Sequence, residues 1–282
     1  MGAKRFTKER PDLFLYQDHL AFLKDWLAYL KASQSGFSLR YLGRQAGLAS
    51  GYLPMVLSGK RLITHKALRK LMPYMFLSAS EQSYLENLLS LSTSDSHEVK
   101  VDAVERMRRF PRYQKNNPQD LKVFEYLTHW YYVAIREMAL NAEFKADPVW
   151  IQENLRFPVP LHEIKHALEF LLANGYLVQL PGGQVVHPEV SLNCSGEVYR
   201  VALAKFHHEI FELAAKSIER TPSEERNIQG HTCALTAEGI LKAQAIVDEA
   251  IGKILDLGRT QEKTDAVYHL EVALFPLQGG KK

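Results

Sequence analysis

Residues Phe37 to Arg61, FSLRYLGRQAGLASGYLPMVLSGKR, constrain the fold more than any other stretch. Leu39, Leu42 and Ala46 recur at helical spacing. Gly47 then interrupts the run, where a tight turn needs a positive φ. Leu48 follows, and a second helical run carries Tyr52, Leu53, Val56 and Leu57. Gly59 closes it as a helix-stopping glycine, with Lys60 and Arg61 directly after. Two short helices around a glycine turn describe a helix-turn-helix. An αα-hairpin that touches no nucleic acid would read the same way, because this geometry alone does not establish function.

Charge separates the two readings. Between Trp26 and Ser80 there is no Asp or Glu, while Lys31, Arg40, Arg44, Lys60, Arg61, Lys66, Arg69 and Lys70 all fall inside. The whole chain is only +3, so the remainder is acidic on balance. A basic segment on an acidic chain is the electrostatic footprint expected for phosphate contact.

The stretch resembles the phage-repressor-like helix-turn-helix, whose pattern is Leu-Ala-x-x-x-Gly-Val-Ser, then Ile or Leu, then a Gly-Lys-Arg-like end. Leu42, Gly47, Leu48, Leu53, Val56 and Gly59 fall on its core positions. Gly43 stands where that pattern usually has alanine, and Ala49 where it prefers serine. The resemblance implies a second helix starting near Ala49, with Ser50, Gly51, Pro54 and Met55 facing the bases. None of these carries the bidentate fork that discriminates bases. Pro54 past the first turn would cost up to about 3 kcal/mol, unless the helix starts late, around Ser50 to Tyr52. The candidate DNA-binding residues are therefore Arg40, Arg44, Lys60, Arg61 and Lys66 on phosphates, with Ser50, Gly51 and Met55 as weak base contacts.

The rest of the chain reads as mainly α. Leu13 to Lys31 carries a stripe of Leu20, Leu23, Leu27 and Leu30, with Asp18 as cap. Ala67 to Met72 and Ser80 to Leu91 complete a compact helical domain. Ser92 to Ser96 (STSDS) is a linker signal, followed by a basic run of Arg106, Arg108, Arg109, Arg112 and Lys115. That run is either a phosphate-seeking arm or a solvated connector. One long helix is expected over Leu121 to Leu140, another from Asp147 and a third from Pro160 to Gly175. Tyr176 to Leu180 and Gln184 to His187 form a hairpin around Pro181-Gly182-Gly183. Three helices and a hairpin give a winged-helix-like unit. A helix from Glu197 to about Arg220, an extended Glu225 to Leu235, a helix over Thr236 to Gly258 and an alternating strand over Asp265 to Leu277 suggest a C-terminal α+β unit with an antiparallel strand pair. The expected divisions are an N-terminal helical segment over 1–35, the helix-turn-helix domain over 36–92, a linker over 93–119, the winged-helix-like unit over 120–190 and the C-terminal sensing or dimerisation unit over 191–282.

Over most of its length the chain resembles an uncharacterised bacterial family joining a repressor-like helix-turn-helix to a C-terminal domain of unknown function. The residues that carry this are Phe14, Tyr16, Asp18, Phe22 and Leu23, then Trp130 and Tyr131, then Glu225-Arg226, Val267-Tyr268 and Phe275-Pro276-Leu277. The resemblance implies a transcriptional regulator and supplies no ligand. A dimer binding double-stranded DNA is expected, with a small-molecule or protein effector. The alternative is an interaction module whose helix-turn-helix no longer reads DNA.

Other chemistry finds little support. His162-Glu163-Ile164-Lys165-His166 matches HExxH, which places two histidines on one helical face for zinc with the glutamate as base. Lys165 sits inside a motif normally apolar there, and Glu189 is a lone third-ligand candidate. His207, His208, His231 and Cys233 lack metal-site spacing. No nucleotide-binding loop or nucleophile elbow occurs, so no enzymatic activity, cofactor or metal is expected. Cys194 and Cys233 are the only cysteines, no apolar run reaches the roughly 20 residues of a membrane span, and the N-terminus lacks a secretory signal. Cytoplasmic residence is the expectation.

Overall fold

The computed structural model describes residues 9–188, 196–261 and 263–279. Its elements are α1 (His19–Ser33), α2 (Leu39–Gln45), α3 (Tyr52–Leu57), α4 (His65–Leu71), α5 (Ala79–Thr93), α6 (His97–Met107), α7 (Pro111–Asn116), α8 (Pro118–Thr128), α9 (Trp130–Met138), α10 (Pro148–Asn154), α11 (Leu161–Ala173), β1 (Val178–Gln179), β2 (Val185–Val186), α12 (Glu197–Arg220) and α13 (Ala237–Arg259). The protein is mainly α, with one antiparallel two-stranded sheet among the described residues. No helix among the described residues is long and apolar enough to cross a membrane.

The chain divides into two compact units, 1–125 with 193–205, and 126–192 with 206–282. In the first, side-chain caps set the helix starts. Asp18 accepts from the N–H groups of Leu20 and Ala21, and Ser38 and Thr64 cap α2 and α4. At α5, Ser78 and Glu81 cap one another in a capping box. The core gathers Phe14, Phe22, Trp26, Tyr84, Leu88 and Tyr113. Phe14 lies 4.7 Å from the Tyr84 ring, and the Trp26 indole N–H donates to the Met75 carbonyl at 3.0 Å. Residues 97–116, whose composition suggested a linker, instead form α6 and α7. Ser96 caps α6, and Ala103, Val104, Met107 and Tyr113 are buried. That burial is why the polar STSDS stretch does not open a free connector.

In the second unit α9 and α10 pack on α11, and the hairpin follows with Val178 opposite Val186 and Gln179 opposite Val185. Gly175, at φ +73°, ends α11 and lets Tyr176 turn back to stack on Tyr126 at 4.5 Å. This is the helix-and-hairpin order read from sequence. The single helix expected over Leu121 to Leu140 is a correction: it breaks at His129, whose backbone is extended. The Glu209 carboxylate of α12 accepts from the Trp130 N–H at 2.9 Å and pairs with His129 Nδ1 at 3.0 Å. A carboxylate at a helix N-terminus satisfies the orphan donors and the dipole there. The stretches 226–235 and 263–279 are neither helical nor laddered, so among the described residues the only strand pair is the hairpin.

Candidate nucleic-acid interface

The helix-turn-helix is held from within by Leu42, Ala46, Tyr52, Leu53 and Val56, all buried. Both of its helices end in the same way. At α2 the Leu48 N–H bonds the Gly43 carbonyl at 2.8 Å and the Gly47 N–H bonds that of Arg44 at 3.0 Å. At α3 the Lys60 N–H bonds the Met55 carbonyl and the Gly59 N–H that of Val56, each at 2.9 Å. These are paired Schellman closures, which need a left-handed residue after the cap. Gly47 at φ +59° and Gly59 at φ +74° supply it.

The second helix starts late. Gly51, at φ +86°, is its N-cap, so Pro54 is the third helical residue. The first four N–H groups of a helix have no intrahelical acceptor, so the donor that proline lacks is one the helix does not use. The first intrahelical bond runs from Met55 to the Gly51 carbonyl at 3.1 Å. The feared cost of Pro54 is thereby avoided, at the expense of a six-residue α3.

Arg40, Arg44, Ser50, Gly51, Met55, Lys60, Arg61 and Lys66 are all exposed. Arg40 and Arg44 point away from the buried Leu42 side of α2, one turn apart. Among the described residues no carboxylate pairs with Arg40, Arg44, Lys60, Arg61 or Lys66. The Arg61 guanidinium lies 4.9 Å over the Tyr52 ring, and the Tyr52 hydroxyl accepts from the Thr64 N–H at 3.4 Å. Tyr52 therefore fixes the loop that carries Lys60 and Arg61, a role that periodicity, which reads it as core, does not reveal. Thr64 in turn caps α4, whose first turn carries Lys66.

The second basic run is differently placed. Arg106 pairs with Asp102, Arg108 with Glu105 and with Glu125 at 2.5 Å, and Arg112 with Asp12 at 3.0 Å. Arg108 also lies over Phe124 and Arg112 over Phe14. These cations brace the first unit.

At the HExxH sequence, His162 is exposed, Glu163 accepts from the Tyr131 hydroxyl at 3.1 Å, and His166 Nδ1 meets the Tyr132 hydroxyl at 2.9 Å. Burial pushes the Tyr131 phenol up, with the Glu163 carboxylate reinforcing the shift, so the phenol stays a donor. His207 pairs with Glu271 at 3.0 Å, Cys233 is exposed, and Cys194 and Glu189 lie outside the described residues. Among the described residues no group of three or more His, Cys, Asp or Glu is placed to hold a metal ion.

Residues 111–277 match the family model of a domain of unknown function, DUF4423, which begins at α7 and leaves the helix-turn-helix outside. No curated protein and no solved structure matches the chain.

Proposed function

The chain belongs to the DUF4423 family, whose description carries no activity, and we propose from its own residues that it is a DNA-binding transcriptional regulator. It grips duplex DNA through Arg40, Arg44, Lys60, Arg61 and Lys66, and works as a cytoplasmic dimer whose C-terminal part assembles the copies or senses an effector. One observation carries this reading. Among the described residues no carboxylate pairs with the five exposed cations Arg40, Arg44, Lys60, Arg61 and Lys66, while three cations of the neighbouring basic run are paired. Cations in an acid-free stretch have no local ion pair that contact with phosphate would have to break.

Ser50, Gly51 and Met55 border the start of α3 and offer no bidentate donor, so the grip is mostly on backbone phosphate and sequence preference is modest. Neutralising five phosphates per subunit contributes about −4.5 to the slope of log K against log salt, or about −9 for the dimer. Fluorescence anisotropy with a labelled duplex between low and moderate salt tests this. Replacing Arg44, Lys60 and Arg61 by Ala leaves two contacts per subunit and a slope of about −3.6 for the dimer, with binding weakened on all duplexes alike. No duplex binding by the intact protein at low salt would overturn the proposal in favour of an interaction module.

A further inference from the structure

We propose that α13 is the seam of a homodimer, covered along its apolar side by α13 of a second copy. The helix is 23 residues long and none of its residues is buried. Ile240 is 43% exposed, Ile254 49% and Leu257 59%, and Leu241, Ile246 and Leu255 on neighbouring parts of the helix surface are exposed as well. A helix of this kind stands in water only while its partner is missing.

The pattern of the stripe says what the partner is. Ile240, Val247 and Ile254 recur every seven residues, and Ala243, Ala250 and Leu257 do so three positions later. That is the a and d register of a coiled coil, with β-branched residues at a as in two-stranded pairs. A seven-residue repeat keeps its seam turned toward another helix of the same repeat, so the surface is complementary to itself. The polar side has little charge to offer anything else. Glu238 pairs with Lys242 and Glu249 with Lys253, each at 2.7 Å, and Asp256 with Arg259 at 3.5 Å. An interfacial membrane helix would carry an excess of Lys and Arg on that side; here the acids Glu238, Asp248, Glu249 and Asp256 outnumber the bases.

The segment after α13 is also largely exposed. His269 and Glu271 turn toward α12, with Glu271 on His207 at 3.0 Å and the His269 ring 5.7 Å from Phe206. The alternate residues Tyr268, Leu270, Val272 and Leu274 are exposed and no strand pairs with them among the described residues. Two successive elements of one unit thus leave apolar faces open.

The proposal extends the dimeric regulator described above, but its readout is mass, so it stands or falls separately from DNA binding. Light scattering on the full chain should give twice the chain mass at micromolar concentration. Val247→Asp with Ile254→Asp should return the monomer mass, and Glu249→Gln with Lys253→Gln on the polar side should leave the dimer intact. Val247 lies near the middle of α13 and meets its counterpart in either helix orientation. With Cys194 and Cys233 replaced by Ser, Val247→Cys should therefore form a disulfide-linked dimer under mild oxidation. That second variant keeps the test decisive if the double aspartate misfolds. A monomeric wild-type chain, an unchanged dimer in the aspartate variant, or a monomer that co-sediments with anionic phosphatidylserine vesicles through Val247 and Ile254 would each overturn the proposal.

Discussion

Replacing Glu81 by Ala should destabilise the first unit by about 3 kcal/mol at neutral pH. The Glu81 side chain is 5% exposed, and its carboxylate gathers three donors. The Ser78 N–H and hydroxyl both donate to it at 2.8 Å, and Arg10 donates at 2.6 Å. Hydrogen bonds to a charged group are worth about 1.5–3 kcal/mol, and loss of a helix cap typically costs about 1 kcal/mol. Arg10 is 42% exposed, so its ion pair is screened and adds less than about 1 kcal/mol. Burial alone would raise the Glu81 pKa, but the Ser78 bonds and Arg10 outweigh it and hold the carboxyl below its usual range. The sign follows from linkage. A depressed native pKa stabilises fully above the unfolded-state value, near 4.3, and the stabilisation is lost as pH falls through the native value. Urea unfolding followed by Trp26 emission, with Trp130 and Trp150 replaced by Phe, reads this unit, because the Trp26 indole is bonded within it. The gap between wild type and variant should shrink as pH drops below about 4. A gap under about 1 kcal/mol at pH 7, or one unchanged at pH 3, would refute the reasoning, since water would then be replacing the carboxylate.

Gly43→Ala should stabilise the helix-turn-helix by about 0.5–1 kcal/mol, because an added Cβ would meet Leu53 Cδ1 at an ordinary 4.0 Å; thermal unfolding checks it. Gly51→Ala should cost about 1–2 kcal/mol at φ +86°, whereas Pro54→Ala should stay within about 0.5 kcal/mol, and the same melts compare them. Glu209→Gln should cost the second unit about 1–3 kcal/mol by weakening the start of α9, read by Trp130 emission under urea. Burial holds the His19 imidazole below its ordinary range against the opposing pull of Asp18, so the unfolded chain takes up the proton first as pH falls. Stability should decline as pH drops from about 6.5 toward the lower native value, and His19→Leu should flatten that decline in pH-dependent melts.

Much of this architecture was legible because its signals are local. Asp18, Asp147 and Thr236 announce helix starts through their own side chains, and Gly47, Gly59 and Gly175 announce ends through φ. The exposure of Arg40 and Arg44 follows from the register of Leu42 and Ala46. What escaped is non-local. The break at His129 is stabilised by Glu209, 79 residues from Trp130, and no pattern around 121–140 encodes it. The second basic run shows local acids in Asp102 and Glu105, but the arrival of Asp12 and Glu125 from outside it is not legible in its own sequence. Tyr52 has the spacing of a core residue, yet its ring and hydroxyl also hold Arg61 and Thr64. The helix over Thr236 to Gly258 was visible, but that none of the residues of α13 is buried depends on contacts its own sequence does not show.

The contribution of α12 to both units bears on how the protein is made. Its first residues close the first unit, where Glu197 reaches Lys100 at 2.8 Å across 97 residues, and its later residues supply Glu209 to the second. A chain emerging from the ribosome at roughly 5–20 residues per second therefore exposes the helix-turn-helix well before its own unit is complete. Until α12 appears, Lys100 lacks its carboxylate and the N-terminus of α9 lacks its cap. The first unit is complete once residue 205 has emerged and the second only toward residue 282, so a truncation between Glu197 and Glu209 keeps the contact to Lys100 and removes the carboxylate from the start of α9.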